Sequence, residues 1–360
     1  KLMIDLLIFS KYGNMGASSR LRSLDYIECL EQENIRVTVS TLFDNEYLEN
    51  LYRKKKVSFI SIFKYYIKRL VFVLFRVKKY DVVFIEKELF PYLPGIFEKL
   101  INISRVPYIV DYDDAIFHNY DMQQSWFKKM MLSGKLKPLL SRAAYVTVGN
   151  RYLEELSREN GAKNVKIIPT VININRYHNQ PTVLFDEIKI GWIGSPSTTK
   201  YLKIIWPVLE KLSSKKHIKL ITIGADKIND CPIPLEQYPW TLDTECEILN
   251  DISFGVMPLE DGLWERGKCG YKLIQYMASC KPVIASNVGV NTEIVTPKVG
   301  FLASDETEWL DAFNKFIDNP ELISLMGVNA RRRVEEHYTL QINSNILIGL
   351  LKDVVEGRQI

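Results

Sequence analysis

Twice along this chain, short apolar runs alternate with amphipathic segments across glycine-bearing turns. The first series opens with LMIDLLIF, a strand, then KYGNMGASSRLRS, a glycine-containing turn with Ser18 and Ser19 available as caps. The helical stretch LRSLDYIECLEQEN and a second strand, IRVTVSTL, complete a βαβ opening. Further strands are expected at YDVVFIEKE, VPYIVDYDD, RAAYVTVGN and VKIIPTVIN, with helices between them. Strands separated by helices pair in parallel, because each crossover carries the chain back to the end of the sheet where the previous strand began. The pattern restarts at EIKIGWIGSPSTTKYL and runs through HIKLITIG, DISFGVMPL and PVIAS. A chain of 360 residues holds two such cores comfortably. The expected fold is therefore α/β, with two Rossmann-like domains at 1–175 and 186–339. Asn173 to Asp186, with Pro181, is the best linker, and an amphipathic last helix spans 340–357.

The most informative stretch is RGKCGYKLIQYMASCKPVIASNVGVNTEIV, residues 266–295. Gly267 and Gly270 bracket a turn. Leu273, Ile274, Met277 and Ala278 then recur at helical spacing and define an apolar face. Lys268, Lys272 and Gln275 sit four and then three residues apart and are expected on the other face. Lys281-Pro282 stops the helix, PVIAS is a strand, and the loop after it carries Asn287, Gly289, Asn291 and Glu293. A cationic helix start beside the C-terminal end of a strand suits an anion, because free N–H groups and the helix dipole converge there. Two lysines point to a phosphate or diphosphate.

In this order of parts the segment resembles the donor-binding core of glycosyltransferase family 4, the retaining enzymes of the two-Rossmann-domain (GT-B) type. That family shows a glutamate, seven residues, a second glutamate in LEAMA, a PVIAS strand and a Gly-Gly-x-x-Glu loop. Here QYMASCKPVIAS and Gly289–Glu293 fill the later parts. Gln275 stands where the second glutamate is expected and Gly267 where the first is; Glu265 is two residues off. IGWIGSPSTTKYL is similar to the family's GxxGRLxxxKG: Gly194 and Lys200 keep their places, and Ser195 replaces the arginine. The resemblance implies two domains facing a central crevice, with Lys200, Lys272 and Lys268 neutralising the donor diphosphate. It implies Gln275 on the donor ribose, with Gly194, Ser195, Asn287, Gly289, Asn291 and Glu293 around the donor and Trp240 near its base. Gly16 would approach the donor phosphates, and Trp264 would bound the sugar pocket. Arg20 and Arg22 are candidates for an anionic acceptor; a solvated helix start explains Arg22 equally well.

VDYDDAIFH allows two readings. Asp111-x-Asp113 after a strand resembles the metal-binding Asp-x-Asp of the other large glycosyltransferase fold. In the metal-free type the same strand end meets acceptor or sugar, which assigns Asp113, Asp114 and His118 there, the acids orienting the histidine. The metal-free reading is preferred, with no metal and no cofactor beyond the nucleotide-sugar substrate.

Charge is uneven. Residues 1–180 hold 28 basic and 19 acidic side chains, the remainder 19 and 24. Residues 51–80 alone hold ten basic and no acidic side chains. There Phe59, Phe63, Ile67, Leu70 or Val71, and Leu74 follow a helical stripe. This is either a domain helix with a solvated basic face or a helix that leans on anionic lipid. Five cysteines without metal-ligand spacing favour free thiols in a reducing compartment. KLMIDLLIFS is too short and acidic for a signal peptide, and no apolar run is long enough to span a bilayer. The expectation is a hexosyltransferase using a UDP- or GDP-sugar and a lipid-linked bacterial surface glycan, such as lipopolysaccharide or capsule. It would be cytoplasmic and peripheral on an anionic membrane, with no nucleic-acid partner. Its rivals are a metal-dependent transferase using Asp111 and Asp113, and a non-catalytic nucleotide-sugar-binding subunit.

Overall fold

Each α/β series closes on its own six-stranded sheet in the computed structural model, which describes residues 3–52, 55, 57–123, 125–177, 187–214 and 218–357. The first sheet contains β1 (Ile4–Ser10), β2 (Ile35–Thr41), β3 (Val82–Glu86), β4 (Tyr108–Tyr112), β5 (Tyr145–Val148) and β6 (Val165–Ile167). Its order is β2-β1-β3-β4-β5-β6, and every pairing is parallel. Leu6 to Phe9 and Val82 to Ile85 are buried on both sides, which is why these strands are continuously apolar and do not alternate.

The second sheet contains β7 (Ile188–Ile193), β8 (Ile218–Ile223), β9 (Leu235–Tyr238), β10 (Phe254–Met257), β11 (Val283–Ser286) and β12 (Gly300–Ala303). Its order is β12-β11-β10-β7-β8-β9, again parallel throughout. The two edges, β9 and β12, carry no strand expectation from the sequence. LEQY is polar and half exposed, and GFLA starts on a glycine that lets the chain come hard against the Val283 carbonyl.

The contacts divide the chain into two units, residues 1–170 with 340–360, and 171–339. The helix Leu340–Glu356 joins the first unit, where Lys352 meets Glu33 at 2.6 Å and the Tyr145 hydroxyl donates to Asp353 at 2.6 Å. Residues 171–175 fall in the second unit: the Ile172 N–H donates to the Tyr338 carbonyl at 2.9 Å. Of the expected linker at 173–186, residues 173–177 are described and include the turn Ile174–Arg176, while 178–186 with Pro181 lie outside the described residues, as do Lys54 and Lys56.

The basic stretch forms the helix Phe59–Phe75. The apolar stripe read from its sequence is largely exposed: Phe59 80%, Phe63 57%, Ile67 41% and Val71 47%. What the helix turns inward includes Val73 and Arg69, whose guanidinium donates to the Ser10 and Ser40 carbonyls and stacks on Phe9. Among the described residues no helix is long and apolar enough to cross a membrane.

Candidate functional site

In the second sheet the chain leaves β7 towards β8 and later returns to β10 on the other side. Such a switch point opens a cleft at the carboxyl ends of the two strands. The turn after β7 and the start of the helix Tyr271–Ala278 meet there. Lys272, on the first turn, lays its ammonium 4.2 Å from the Trp192 ring centroid and 3.4 Å from the Thr198 hydroxyl. A Cβ on Gly194 would stand 2.5 Å from the Trp192 ring and 2.6 Å from Lys272 Nζ, so a side chain there would crowd the ring on which this cation rests. Burial first, and then the Lys268 charge, push the Lys272 pKa down to about 7. No carboxylate pairs with Lys272 among the described residues. A half-buried ammonium without a counter-ion is partly desolvated, and an anion would relieve that cost.

The helix start is fixed by Gly270 in the left-handed conformation (φ +67°), where a Cβ would strike Ile294. Lys268 sits 5.3 Å over the Trp264 ring. After β11, residues 291–294 form one short helical turn where a loop was expected. There Asn291 is fully buried and donates to the Ser286 carbonyl, while Asn287 and Glu293 face solvent. Gly289 passes close against the Arg266 backbone, joining this turn to the 266–270 segment. Ser195 caps the 3₁₀ helix Pro196–Ile205 in a reciprocal bond with Thr198. Lys200 is exposed over Tyr201, at 4.9 Å, and lines a surface cavity of about 340 Å³ with Lys203 and Lys227. Glu265, the displaced acid, accepts a hydrogen bond from the buried Tyr201 hydroxyl.

Gln275 departs from the expected face. It is 3% exposed, and its amide donates to Glu245 at 3.3 Å and to the Tyr177 hydroxyl at 3.4 Å. Glu245 is wholly buried and also accepts from Trp240 Nε1 at 2.6 Å, from Tyr177 at 3.1 Å and from Arg176 at 3.3 Å. The Trp240 indole N–H is thus committed to this network. Sequence reasoning missed Glu245 and Tyr177, which are distant in sequence from Gln275.

In the first unit the switch point lies between β1 and β3. Gly16 starts the helix Ala17–Arg22, tight against Tyr12. Glu86 accepts from the Ser19 hydroxyl at 2.6 Å and from the Lys11 N–H at 2.9 Å. Lys87, missed from the sequence, reaches Asp113 at 2.8 Å and Asp114 at 3.4 Å. Burial alone would lower the Lys87 pKa, but Asp113, Asp114 and Glu86 outweigh it and raise it. Burial likewise opposes ionisation of Asp113, and the Lys87 charge outweighs it, holding that carboxyl below its ordinary value. Arg20 is 5% exposed and donates to the Asn14 carbonyl.

His118 is not oriented by Asp113 or Asp114. Its Nδ1 lies 3.1 Å from Asp121 and its Nε2 2.8 Å from the Tyr152 hydroxyl, so both ring nitrogens are committed. Arg22 is neither solvated nor open to an acceptor. It forms a buried two-pronged ion pair with Asp111, at 2.6 and 2.9 Å, and donates to the Ile168 carbonyl.

Residues 187–319 match the family model for glycosyl transferases group 1. No curated protein matches the chain by sequence. Among solved structures, HepE of Anabaena in complex with UDP is 14% identical, with a TM-score of 0.70 over 97% of this chain and 100% of that one. The sucrose-phosphate synthase of Thermosynechococcus elongatus is also 14% identical, with a TM-score of 0.65 over 98% and 100%. The lipopolysaccharide outer core galactosyltransferase WaaB is 11% identical, with a TM-score of 0.65 over 99% and 100%. These likenesses show the fold, two Rossmann-like domains of GT-B type. The resemblance read from the motifs agrees with the group 1 match over residues 187–319 and with the fold.

Within that frame the Asp-x-Asp alternative loses its first ligand. Both Asp111 oxygens are held, by Arg22 and by the Thr147 hydroxyl at 2.6 Å, so Asp111 supports the core under β4. In the second unit the group 1 match covers Gly194, Lys268 and Lys272 together, an arrangement that can hold and neutralise a diphosphate.

Proposed function

We propose that this chain is a retaining glycosyltransferase that moves a hexose or hexosamine from a nucleoside-diphosphate sugar to a growing, lipid-linked bacterial surface glycan. The observation that carries the proposal is the half-buried Lys272 ammonium, without a carboxylate partner among the described residues and packed into the space left by Gly194. Lys272, Lys268 and the N–H groups of the helix start take the charge of the departing diphosphate. Because these groups are preorganised, most of the acceleration is electrostatic. Lys200 and His118 leave the catalytic set, the first exposed and the second committed to Asp121 and Tyr152. Asp113, Asp114 and Lys87 form a charged cluster suited to acceptor hydroxyls. UDP is the preferred nucleotide, in line with HepE complexes holding UDP and UDP-glucose. The lipid-linked acceptor is supported by the exposed apolar and basic helix Phe59–Phe75, and by WaaB, whose substrate is lipopolysaccharide core. Peripheral attachment to the cytoplasmic leaflet and independence from metal belong to the same proposal.

A panel of UDP- and GDP-sugars, scored by nucleotide release and by the mass of a lipid-linked acceptor, tests it. Release with one donor and growth of the acceptor by one sugar is expected. Tight UDP binding without turnover on any acceptor would favour a binding subunit, a reading supported by Gly267 and Ser195 at positions where the family has charged residues.

A further inference from the structure

The first unit contains an apolar groove of about 530 Å³ beside the helix Phe59–Phe75. Ile62, Tyr66 and Leu70 form one wall, and Phe43, Phe90 and Phe97 contribute to the other. The aromatic side chains pack on one another: Phe43 lies 6.2 Å from Tyr66, Tyr66 6.5 Å from Phe90, and Phe90 5.9 Å from Phe97 between ring centroids. The Tyr66 hydroxyl is already satisfied by the Pro91 carbonyl, at 2.8 Å. The volume lies within the roughly 300–1,000 Å³ of small-molecule pockets. A cavity so lined takes hydrocarbon.

The rim carries one charge. Lys11 lines the groove with its ammonium 5.4 Å from the Tyr12 ring centroid. Among the described residues it forms no ion pair, although Glu86, Glu88 and Asp114 are near enough to act on it. On the outer side the groove is continuous with the exposed Phe59, Phe63 and Ile67, next to Lys64 and Lys68.

We infer that this groove holds the hydrocarbon chain of a phosphate-bearing amphiphile, with the phosphate at Lys11. The inference deepens the lipid-linked acceptor reading above and rests on it. An apolar channel gives one chain a place out of water, and Lys11, the charged residue in its lining, gives the phosphate a partner. Neither feature suits a free sugar, and a soluble phosphate would have no use for the aromatic walls. The exposed helix face would deliver the protein to the bilayer in which such an amphiphile resides.

Calorimetry on the full chain, without any nucleotide sugar, tests this with n-dodecyl phosphate below its critical micelle concentration, n-dodecanol and inorganic phosphate. One saturable site for dodecyl phosphate is expected. Dodecanol should bind about tenfold more weakly, and phosphate alone not at all. Lys11→Met should bring dodecyl phosphate to the dodecanol level. Ile62→Trp and Leu70→Trp, which fill the groove, should abolish binding of both, with an unchanged circular dichroism spectrum and thermal melt of the full chain showing that the variants are folded. Ile60→Ser and Phe75→Ser, exposed and off the groove, should keep dodecyl phosphate binding while weakening attachment to vesicles. Absence of a saturable site, or binding indifferent to the groove-filling changes, overturns the inference. So does a concentration-dependent dimer abolished by Leu70→Trp, which would give the groove to a second copy. Because no donor is present, failure here leaves the glycosyl-transfer reading standing, and failure of the donor panel leaves this result standing.

Discussion

Lys272 places a half-buried cation against the Trp192 ring, with no carboxylate paired to it among the described residues. Its pKa, pushed down to about 7 by burial and by Lys268, lies below that of an unfolded lysine at about 10.4. The unfolded chain therefore binds more protons between these values, and this residue makes stability rise with pH across that window. Lys272→Met should thus melt higher than the wild type at pH 7, with the gain vanishing near pH 10.5. The same change should lower kcat about 10²–10³-fold, as loss of one preorganised donor does. A diphosphate beside Lys272 favours its charged form. UDP binding at pH 8 should take up close to one proton, read from calorimetry in buffers of different ionisation enthalpy. Uptake that persists in Lys272→Met assigns the proton elsewhere. Gln275 shows what a sequence hides at this scale. Helical spacing puts it in line with Lys268 and Lys272, but Glu245, 30 residues upstream, folds against it and takes its amide hydrogen. Gln275→Glu would set two carboxylates side by side in a buried site, raising the pKa of the pair. A raised carboxylate pKa costs stability once pH exceeds the unfolded value near 4.3, so this variant should melt lower at pH 7 and recover on acidification. A melt unchanged at pH 7 would mean that the glutamate escapes Glu245.

Helices and central strands were legible because each carries its own periodicity or continuous apolar run. The edge strands β9 and β12 were not, since their pairing partners, not their composition, make them strands. The helix Phe59–Phe75 was legible as a helix but not in its orientation. Its stripe of Phe and Ile looked equally fit for a core, and the buried Arg69, bonded to two carbonyls and stacked on Phe9, is what turns that stripe outward. One of the ten basic residues is therefore internal and contributes nothing to a membrane surface. Each exposed base near anionic lipid is worth about 1 kcal/mol and is screened by salt. Sedimentation with vesicles should show binding that requires anionic lipid, falls steeply with added salt, and weakens at least tenfold in the double variant Lys64→Glu, Lys68→Glu. Binding to neutral vesicles of equal strength would remove electrostatics from the attachment.

Across the whole molecule, the chemistry is divided between the two units. The first carries the basic helix, the apolar groove and the Lys87 cluster; the second carries Gly194, Lys268, Lys272 and the Glu245 network. The division was legible because the α/β pattern restarts at 187, whereas the pairing of Lys87 with Asp113, or of Arg22 with Asp111, depends on residues that only the sheet order brings together. It sets the last expectation, for hydrogen exchange on the full chain. UDP should slow amide exchange in segments 192–200 and 268–275, where an anion would draw on backbone N–H groups and stiffen the helix start. Anionic vesicles without UDP should instead slow exchange in 59–75 and 90–97, by keeping water from the apolar face. If, as proposed, the charge of the diphosphate falls on lysines and helix N–H groups, with Asp111 held by Arg22, EDTA should leave the UDP pattern unchanged. Protection that disappears with EDTA would return a metal ion to the donor site. Vesicle protection confined to the second unit would reverse the assignment of the lipid-facing half.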